Sequence, residues 1–501
     1  MVRGPPETFA SGDDEKDYVT VDVGTGISST QDEKESVTED DLEFGGPEER
    51  KRLERKLLWK VDARMSILVV IYILNYVDRN NASAARLRGF EADLSLQGQE
   101  FNTLLSILYV GYILMQIPSN MLLNWIGKPS IYLPCCMIIW GMISVLTGIT
   151  TRFTGALVTR FFLGFVEAAF FPGAIFLLSK WYTKSELGLR MPFFYCGSIS
   201  SNAFGALIAS GILDGMQGKL GHAAWRWLFY IEGALTMFVA ILAIFILPDF
   251  PETTRWLGPQ ERRLAQKRMA EDVAGMGDAG ETEEGGFTYG LRLAITDWKV
   301  WFMALALTSH TIALSFNAFF PTLSATMGYN RTITLVLCAP PFLWTAIEAF
   351  LLSRHSDKIG ERFWHIAGAL GVGIVGFVIA ISTMNTAARY VSLFFMAQSY
   401  AGLVCFVAWI SSSFARPPSK RAVAIAFINA FSQLGNVAGS YVWPKGWGPS
   451  YRNSYAICIS CQGLAVAMLW FYRRYLKRLN AKMEAQEREK GTIEKGFRYM
   501  L

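Results

Sequence analysis

Charge is scarce in this 501-residue chain: Asp, Glu, Lys and Arg together make up 18% of it, against the roughly 25% usual in a soluble protein. A chain this long and this poor in charge cannot keep its surface wet, which excludes a soluble globular protein. The phosphate-cradling string GxxxxGK followed by Ser or Thr is missing, the nearest approach being Gly127-Lys128-Pro129; an ATP-driven pump is excluded. No cluster of His, Cys, Asp and Glu has metal-ligand spacing, so neither a metal nor another cofactor is expected. No catalytic constellation is found, so the chain is not expected to be an enzyme, and nothing points to nucleic acid. The seven cysteines (Cys135, Cys136, Cys196, Cys338, Cys405, Cys458 and Cys461) all lie in apolar segments. They read as buried thiols rather than a disulfide framework, and the CxxC of Cys458 and Cys461 is not expected to have redox or metal chemistry. The first fifty residues contain no apolar run able to act as a signal peptide. Strings such as "QDEKESVTEDDLEF" predict an acidic, disordered cytosolic tail there.

What the chain has in abundance is apolar surface: 52% hydrophobic residues, 14% aromatics and a mean hydropathy of +0.27. A helix needs about 20 mainly apolar residues to cross a bilayer. Such runs centre in 65–84, 103–123, 130–149, 154–178, 191–213, 226–247, 300–322, 333–352, 364–383, 390–411, 422–443 and 453–472. The expectation is an all-α membrane protein with twelve transmembrane helices in two six-helix halves, residues 51–247 and 299–472. A central loop (248–298) joins them, and tails (1–50 and 473–501) flank them. Arg and Lys crowd the start of the first run (Arg50 to Arg64), the end of the last (Arg473 to Arg478) and the central loop (Arg262 to Arg268). The positive-inside rule therefore puts both termini in the cytosol. Within the loop, Pro259 suits the first turn of a charged surface helix, and "AGMGDAGETEEGG" reads as a flexible linker.

An internal repeat supports two halves. "NMLLNWIGKPS" follows the second run and "LLSRHSDKIGERF" the eighth; aligning Gly127 on Gly360 places Asn124 against Asp357 and Lys128 beside Glu361 and Arg362. Duplicated six-helix halves are a transporter signature, with the substrate site near the midplane between them.

"SDKIGER" resembles the loop motif of the major facilitator superfamily, in which an Asp, basic residues and a Gly lock helix ends. The first-half copy departs from it, with Asn124 where the Asp is expected and Trp125 where a basic residue is expected. Further strings resemble the anion:cation symporter branch, and within it the fungal allantoate, nicotinate and pantothenate permeases. These are "NYVDRNNASAARL", "YILMQIPSNMLL", "RFFLGFVEAAFFPGAIFLLSKWY", "AAWRWLFYIEG", "LPDFPETTRWL" and "KGFRYML". The resemblance implies the major facilitator fold, helices 1 and 4 as neighbours, and the plasma membrane as location. It also implies a latch of Asp357, Arg354 and Arg362, and Glu348, one turn from that loop, is expected to be part of it.

An ionisable group inside a span costs roughly 2.5–3.5 kcal/mol even on a lenient scale, so each needs a partner or a watery cavity. Asp78 and Arg79 fall about fourteen residues into the first span, about 20 Å deep at 1.5 Å per residue. Arg160 reaches similar depth in the fourth, and Glu167 follows it by two turns on the same face. The functional reading gives Arg79 the substrate carboxylate, because a guanidinium offers a matching fork of donors. Asp78 and Glu167 would carry a coupling proton, and Arg160 would pair with whichever acid is ionised. The resemblance implies the same roles. The alternative is a static ion-pair network fixing helix packing. Glu232, behind the aromatic anchor "WRW", reads as an interfacial residue satisfied by the backbone or by Arg226.

Asn429, Gln433 and Asn436 are spaced i, i+4, i+7 and form one polar stripe in the eleventh span. They could bind substrate or serve as interhelical glue. Gln398 and His310 also fall near the midplane, where Gln398 is a further substrate contact and His310 either that or a packing residue. Asn81-Ala-Ser and Asn330-Arg-Thr match glycosylation sequons but hug the membrane. The expectation is a monomeric secondary transporter whose partners are a small organic anion, protons and the lipid bilayer. An exporter would be expected to carry a Gly-Pro motif missing from "PFFYCGSISSNAFGALIASGIL". A non-transporting sensor would be expected to carry a signalling domain, and none is recognisable.

Overall fold

A computed structural model describes residues 43–274, 286–414, 418–490 and 498–501. The expected disordered tail up to residue 42 and most of the expected linker, residues 275–285, lie outside the described residues. The chain divides into two units, residues 1–52 and 53–501. Of the first, the described part is a turn at 43–46 and the opening of a long helix. The second is helical, with no strand among the described residues.

Twelve long helices follow one another: α1 (Pro47–Ala85), α2 (Glu100–Ile126), α3 (Pro129–Ile149), α4 (Phe153–Trp181), α5 (Lys184–Gly215), α6 (Ala224–Ile246), α7 (Trp298–Ala325), α8 (Arg331–Ile359), α9 (Phe363–Ser382), α10 (Thr386–Ser413), α11 (Pro418–Ser440) and α12 (Arg452–Lys490). Every apolar run read from the sequence coincides with one of them. Ten are long and apolar enough to cross a membrane, and α1 and α11 are the more polar two. The chain is a multi-pass membrane protein. Two helices outrun their apolar segments, α1 towards its start and α12 towards its end. Strings rich in Glu, Lys, Arg and Ala such as "EERKRLERKLLWK" and "LNAKMEAQEREK" favour helix without lipid. The surface helix at Pro259–Ala274 forms as expected, and a second, Gly286–Thr296, precedes α7.

Four of the long helices are broken, three near their middles and α8 close to its start. The breaks fall at Ala168–Ala169 in α4, Leu314–Phe319 in α7, Leu337–Cys338 in α8 and Gln398 in α10. Proline explains three of them, because its ring removes a donor and clashes with the carbonyl four residues back. Pro172 does this to Ala168, Pro321 to Asn317, and Pro340 and Pro341 to Val336 and Leu337.

The repeat is visible in backbone geometry. Gly127 ends α2 at φ 65° and Gly360 ends α8 at φ 72°, each donating its N–H four residues back, to Leu123 (3.0 Å) and Ser356 (3.0 Å). The left-handed conformation that glycine tolerates stops both helices at the same point of their halves.

The side that carries the start of α1 and the end of α12 is called here the terminus side, and the opposite one the far side. Far-side ends of the two halves are joined by hydrogen bonds. Tyr441 shares its hydroxyl with Thr103 (3.1 Å) and Ser106 (3.2 Å); Ser210 donates to the Thr332 carbonyl (3.1 Å) and Thr332 to Asp214 (3.1 Å). On the terminus side the ion pairs run within a half or to the first surface helix. Arg190 grips Asp62 (2.7 Å), Lys60 reaches Glu261 (2.6 Å), Arg268 pairs with Glu186, and Lys420 pairs with Asp297 (2.6 Å).

Candidate functional site

Between the halves, near the helix breaks, lies a cavity of ≈ 120 Å³ lined by α1, α2, α4, α5, α7, α10 and α11. Arg79 is the one charged side chain among the described residues on its wall. Around it stand Asn75, Tyr76, Tyr109, Tyr112 and Tyr195 from the first half, and Asn317, Tyr400, Asn429, Gln433 and Asn436 from the second.

The Arg79 guanidinium donates from Nε to Glu167 Oε2 (3.1 Å), with Nη2 at 3.0 Å from the same oxygen, and from Nη2 to Asn75 Oδ1 (3.4 Å). It also lies over the rings of Tyr112 (4.9 Å), Tyr76 (5.0 Å) and Tyr109 (5.8 Å). Glu167 is buried, its Oε1 has no hydrogen-bond partner among the described residues, and the helix opens immediately after it. This proximity depends on a tight crossing of α2 and α4. A Cβ on Gly164 would stand 1.9 Å from the Leu108 carbonyl oxygen. Only glycine lets the two backbones meet, which brings Tyr109 and Tyr112 up to Glu167.

Asp78 does not share this cavity. Successive residues of a helix point about 100° apart, and Asp78 turns to α3 and α6, accepting from Ser144 Oγ (3.2 Å) and Thr236 Oγ1 (2.7 Å). Arg160, expected to pair with an ionised acid, makes no ion pair among the described residues. It donates to the Arg79 carbonyl (3.2 Å) and to Asn81 Oδ1 (2.6 Å), and lies over Phe229 (5.3 Å). Sharing a face with Glu167 put the two on one helix stripe, but Arg160 sits two turns nearer the far side and meets the backbone of α1 there.

Asn429 and Gln433 do line the cavity, and Asn436 donates to Gln433 Oε1 (2.8 Å). Gln398 and His310 do not. Both are buried inside the second half, with Gln398 Oε1 and both ring nitrogens of His310 lacking hydrogen-bond partners among the described residues. Which way they face is set by helix rotation, which residue count does not give.

The reading of Glu232 as an interfacial residue is corrected. It is buried, its Oε2 has no hydrogen-bond partner among the described residues, and it lines a second cavity. Arg226 is occupied elsewhere, donating to the carbonyls of Gly148 (2.7 Å) and Thr150 (2.9 Å).

At the terminus side Arg362 pairs with Asp357 and donates to Ser356 Oγ (3.1 Å), while its own N–H and that of Phe363 donate to the Leu501 carbonyl (2.6 and 3.3 Å). Arg354 is exposed and lies 5.9 Å over Phe350, and Glu348 makes no ion pair among the described residues. These two do not join the Asp357–Arg362 contact. In the first half Asn124 and Trp125 are exposed, and Asp249, in the loop after α6, accepts from Ser130 at the start of α3 (2.6 Å). No group of three or more potential metal ligands is found among the described residues.

Comparison with known proteins agrees with this architecture. Residues 68–440 match the sequence profile of the Major Facilitator Superfamily. The chain belongs to this family. It is similar to the MFS-type transporter cnsO of Penicillium expansum, at 30% identity over 87% of this chain and 86% of that protein. It is also similar to a putative tartrate transporter of Agrobacterium vitis, at 29% identity over 77% of this chain and 84% of that one. Among solved structures, a partially occluded inward open conformation of the xylose transporter XylE from E. coli superposes with a TM-score of 0.63, at 16% identity over 83% of this chain and 98% of that one. The protein is thus a transporter of the major facilitator fold and not an enzyme.

Tyr76, Tyr109, Tyr112, Tyr195 and Tyr400 were not singled out from the sequence. The available signal was a phenolic hydroxyl well inside an apolar span, where it calls for a polar neighbour. Tyr109 and Tyr112 are also three residues apart, and so share a helix face.

Proposed function

We propose that this transporter carries a small organic anion together with protons by alternating access, as in the anion:cation symporter branch. The observation that carries this reading is the lone guanidinium on the wall of the central cavity, held ready in a ring of tyrosines and amides. A substrate carboxylate fits the fork that Glu167 now occupies. Protonation of Glu167 removes its charge and frees Arg79 for the substrate; loss of the proton restores the pair and expels the anion. Asp78 is the second proton carrier. Its hydrogen bonds to Ser144 and Thr236 tie α1 to α3 and α6, and they change when the carboxylate is neutralised. Asn429, Gln433 and Asn436 offer hydrogen bonds from the opposite wall. That a relative is named for tartrate, a dicarboxylate, supports an anionic substrate.

The cycle rocks residues 51–247 against 299–472, with Asp357 and Arg362 as a latch on the terminus side. The protein works as a monomer in the plasma membrane with both termini cytosolic, in keeping with the positive charge there. Nicotinate, pantothenate, allantoate and related compounds are the substrates to try.

The test is accumulation of a labelled carboxylate panel in cells lacking their own permeases, at acidic and neutral pH, with and without a protonophore. Uphill, acid-favoured, protonophore-sensitive uptake of one compound is expected. Unchanged pH-dependent accumulation in both Asp78→Asn and Glu167→Gln would refute the coupling roles.

A further inference from the structure

Glu232 is the buried acid the proposed cycle does not use. It sits on α6, 2% exposed, at the wall of a cavity of ≈ 40 Å³ that lies between α1, α5 and α6 of the first half and α7 and α8 of the second. By volume this holds about three or four waters at ~10–15 Å³ each. Asn80, Asn81, Ser83, Asn202 and Asn317 put polar groups on a wall that is otherwise mostly apolar, and Glu232 is its one acidic or basic side chain among the described residues. Three polar atoms in this region have no hydrogen-bond partner among the described residues: Glu232 Oε2, Asn81 Nδ2 and Ser83 Oγ. Buried polar groups left open around a water-sized space are what a wet ionisable site needs, and are costly if dry.

The surroundings connect this cavity to the rest of the charged interior. Asn81 accepts from Arg160, whose other guanidinium nitrogen holds the Arg79 carbonyl. The charged groups whose fields reach Glu232 are Asp78 on α1 and Arg160 on α4. From α5, α7 and α8 the cavity meets Ser201, Asn202, Asn317 and Cys338, none of them a charged partner. A carboxyl inside a membrane protein with water-sized space and no ion pair is a functional candidate by default.

We propose that Glu232 and the water-sized cavity it lines form a proton site on the side of Arg160 away from the Arg79–Glu167 pair, through which a coupling proton reaches the first half. The carboxylate takes one proton from cavity water and returns it to water, with Arg160 between it and the Arg79–Glu167 pair. Its part in coupling rests on the proton-driven reading above; its binding of a proton does not.

The test is a pH-stepped infrared difference spectrum of the purified full-length protein in phosphatidylcholine vesicles, without substrate, together with the number of protons released per chain. In Glu232→Gln one component of the protonated-carboxyl band is lost and the count falls by one. Glu232→Asp keeps the component at a shifted position. Proton-driven accumulation of the transported carboxylate is lost in Glu232→Gln, while exchange of labelled for unlabelled carboxylate is retained, an outcome that a merely structural role does not produce. An infrared titration of Glu232→Gln identical to wild type overturns the proton site. Loss of the band with accumulation intact overturns its role in coupling. If Glu232→Gln does not fold, Glu232→Asp decides, and an unmoved band overturns the proposal. A wild-type protein that carries no carboxylate refutes the proposed function and leaves the proton count readable.

Discussion

The two halves share a backbone plan but not an interior. Among the described residues, five acidic or basic side chains are buried inside the first six helices: Asp78, Arg79, Arg160, Glu167 and Glu232. In the last six the buried charges among the described residues are Arg362 and Arg389, near helix ends, and Glu348 on α8 is only half-buried; deeper in, the buried polar groups are neutral. Gln462 donates to the Leu370 carbonyl (2.7 Å) and Ser399 Oγ (2.9 Å), with Gln398 and His310 nearby in the sequence of α10 and α7. A buried charge demands partners, and four of the five have them: Asp78 two hydroxyls, Arg79 and Glu167 each other, and Arg160 the Asn81 side chain, while Glu232 faces a water-sized cavity instead. Amide and imidazole groups cost less when unsatisfied, which is why Gln398 Oε1 and the His310 ring stand without partners among the described residues.

The largest effect in this contrast belongs to Arg79. Arg79→Ala strands the Glu167 carboxylate beside a tyrosine cluster, a loss of about 3–5 kcal/mol for a broken buried pair. Uptake is abolished, and thermal unfolding in detergent reports the stability loss. Arg79→Lys keeps the charge without the planar fork, so it recovers stability better than uptake.

The next effect separates the halves by packing. Gly164→Ala drives a methyl into the Leu108 carbonyl and costs about 1–3 kcal/mol, as overpacking does. Gly463→Ala on α12 meets nothing within 4 Å. There alanine gains about 0.5–1 kcal/mol of helix stability over glycine. Opposite shifts of the unfolding midpoint are expected. If both glycines tolerate alanine equally, the α2–α4 crossing does not hold the site together.

Smaller still is the neutral interior. Gln462→Leu removes two hydrogen bonds at about 0.6 kcal/mol each, and the pH profile of uptake stays that of wild type. A shifted profile would mean that the second half carries protons too.

The smallest effect lies outside the membrane. Burial alone would raise the Asp297 carboxyl, but its hydrogen bonds to the Lys420 side chain and the Lys299 N–H, and the charges of those two lysines, outweigh burial and hold it below the usual carboxylate range. A lowered folded value contributes stability above the ordinary carboxylate range, and that contribution is lost as pH falls through the folded value. Asp297→Asn therefore costs about 1 kcal/mol, the upper end for an ion pair at the surface, because the two side chains are mostly covered. The difference from wild type in unfolding midpoint shrinks as the buffer is acidified.

Which residues were legible in advance follows from how far their physics reaches along the chain. Spans were legible because about 20 consecutive apolar residues are a local property, and the helix stops at Gly127 and Gly360 because a repeated loop marks them. The presence of charge at membrane depth was legible for the same reason. Partners were not. Asp78 and Arg79 are neighbours in sequence, yet a rotation of about 100° sends one to Ser144 and Thr236 and the other to Glu167. Glu232 looked interfacial because it follows "WRW", but the region around it, including Asn81, comes from α1 and is absent from any local reading. The tyrosines around Arg79 come from four helices and become a ring only when the bundle closes.

By itself, then, the sequence determined that this is a multi-pass transporter of two related halves with its charge concentrated in the first, since hydropathy, proline and glycine act within a turn or two of where they stand. Only the tertiary structure decided that Arg79 faces the cavity, that Asp78 turns away from it, and that Glu232 stands at a second one. Burial and pairing depend on the rotation and crossing of helices far apart in the chain, and those are set by close contacts such as the one at Gly164.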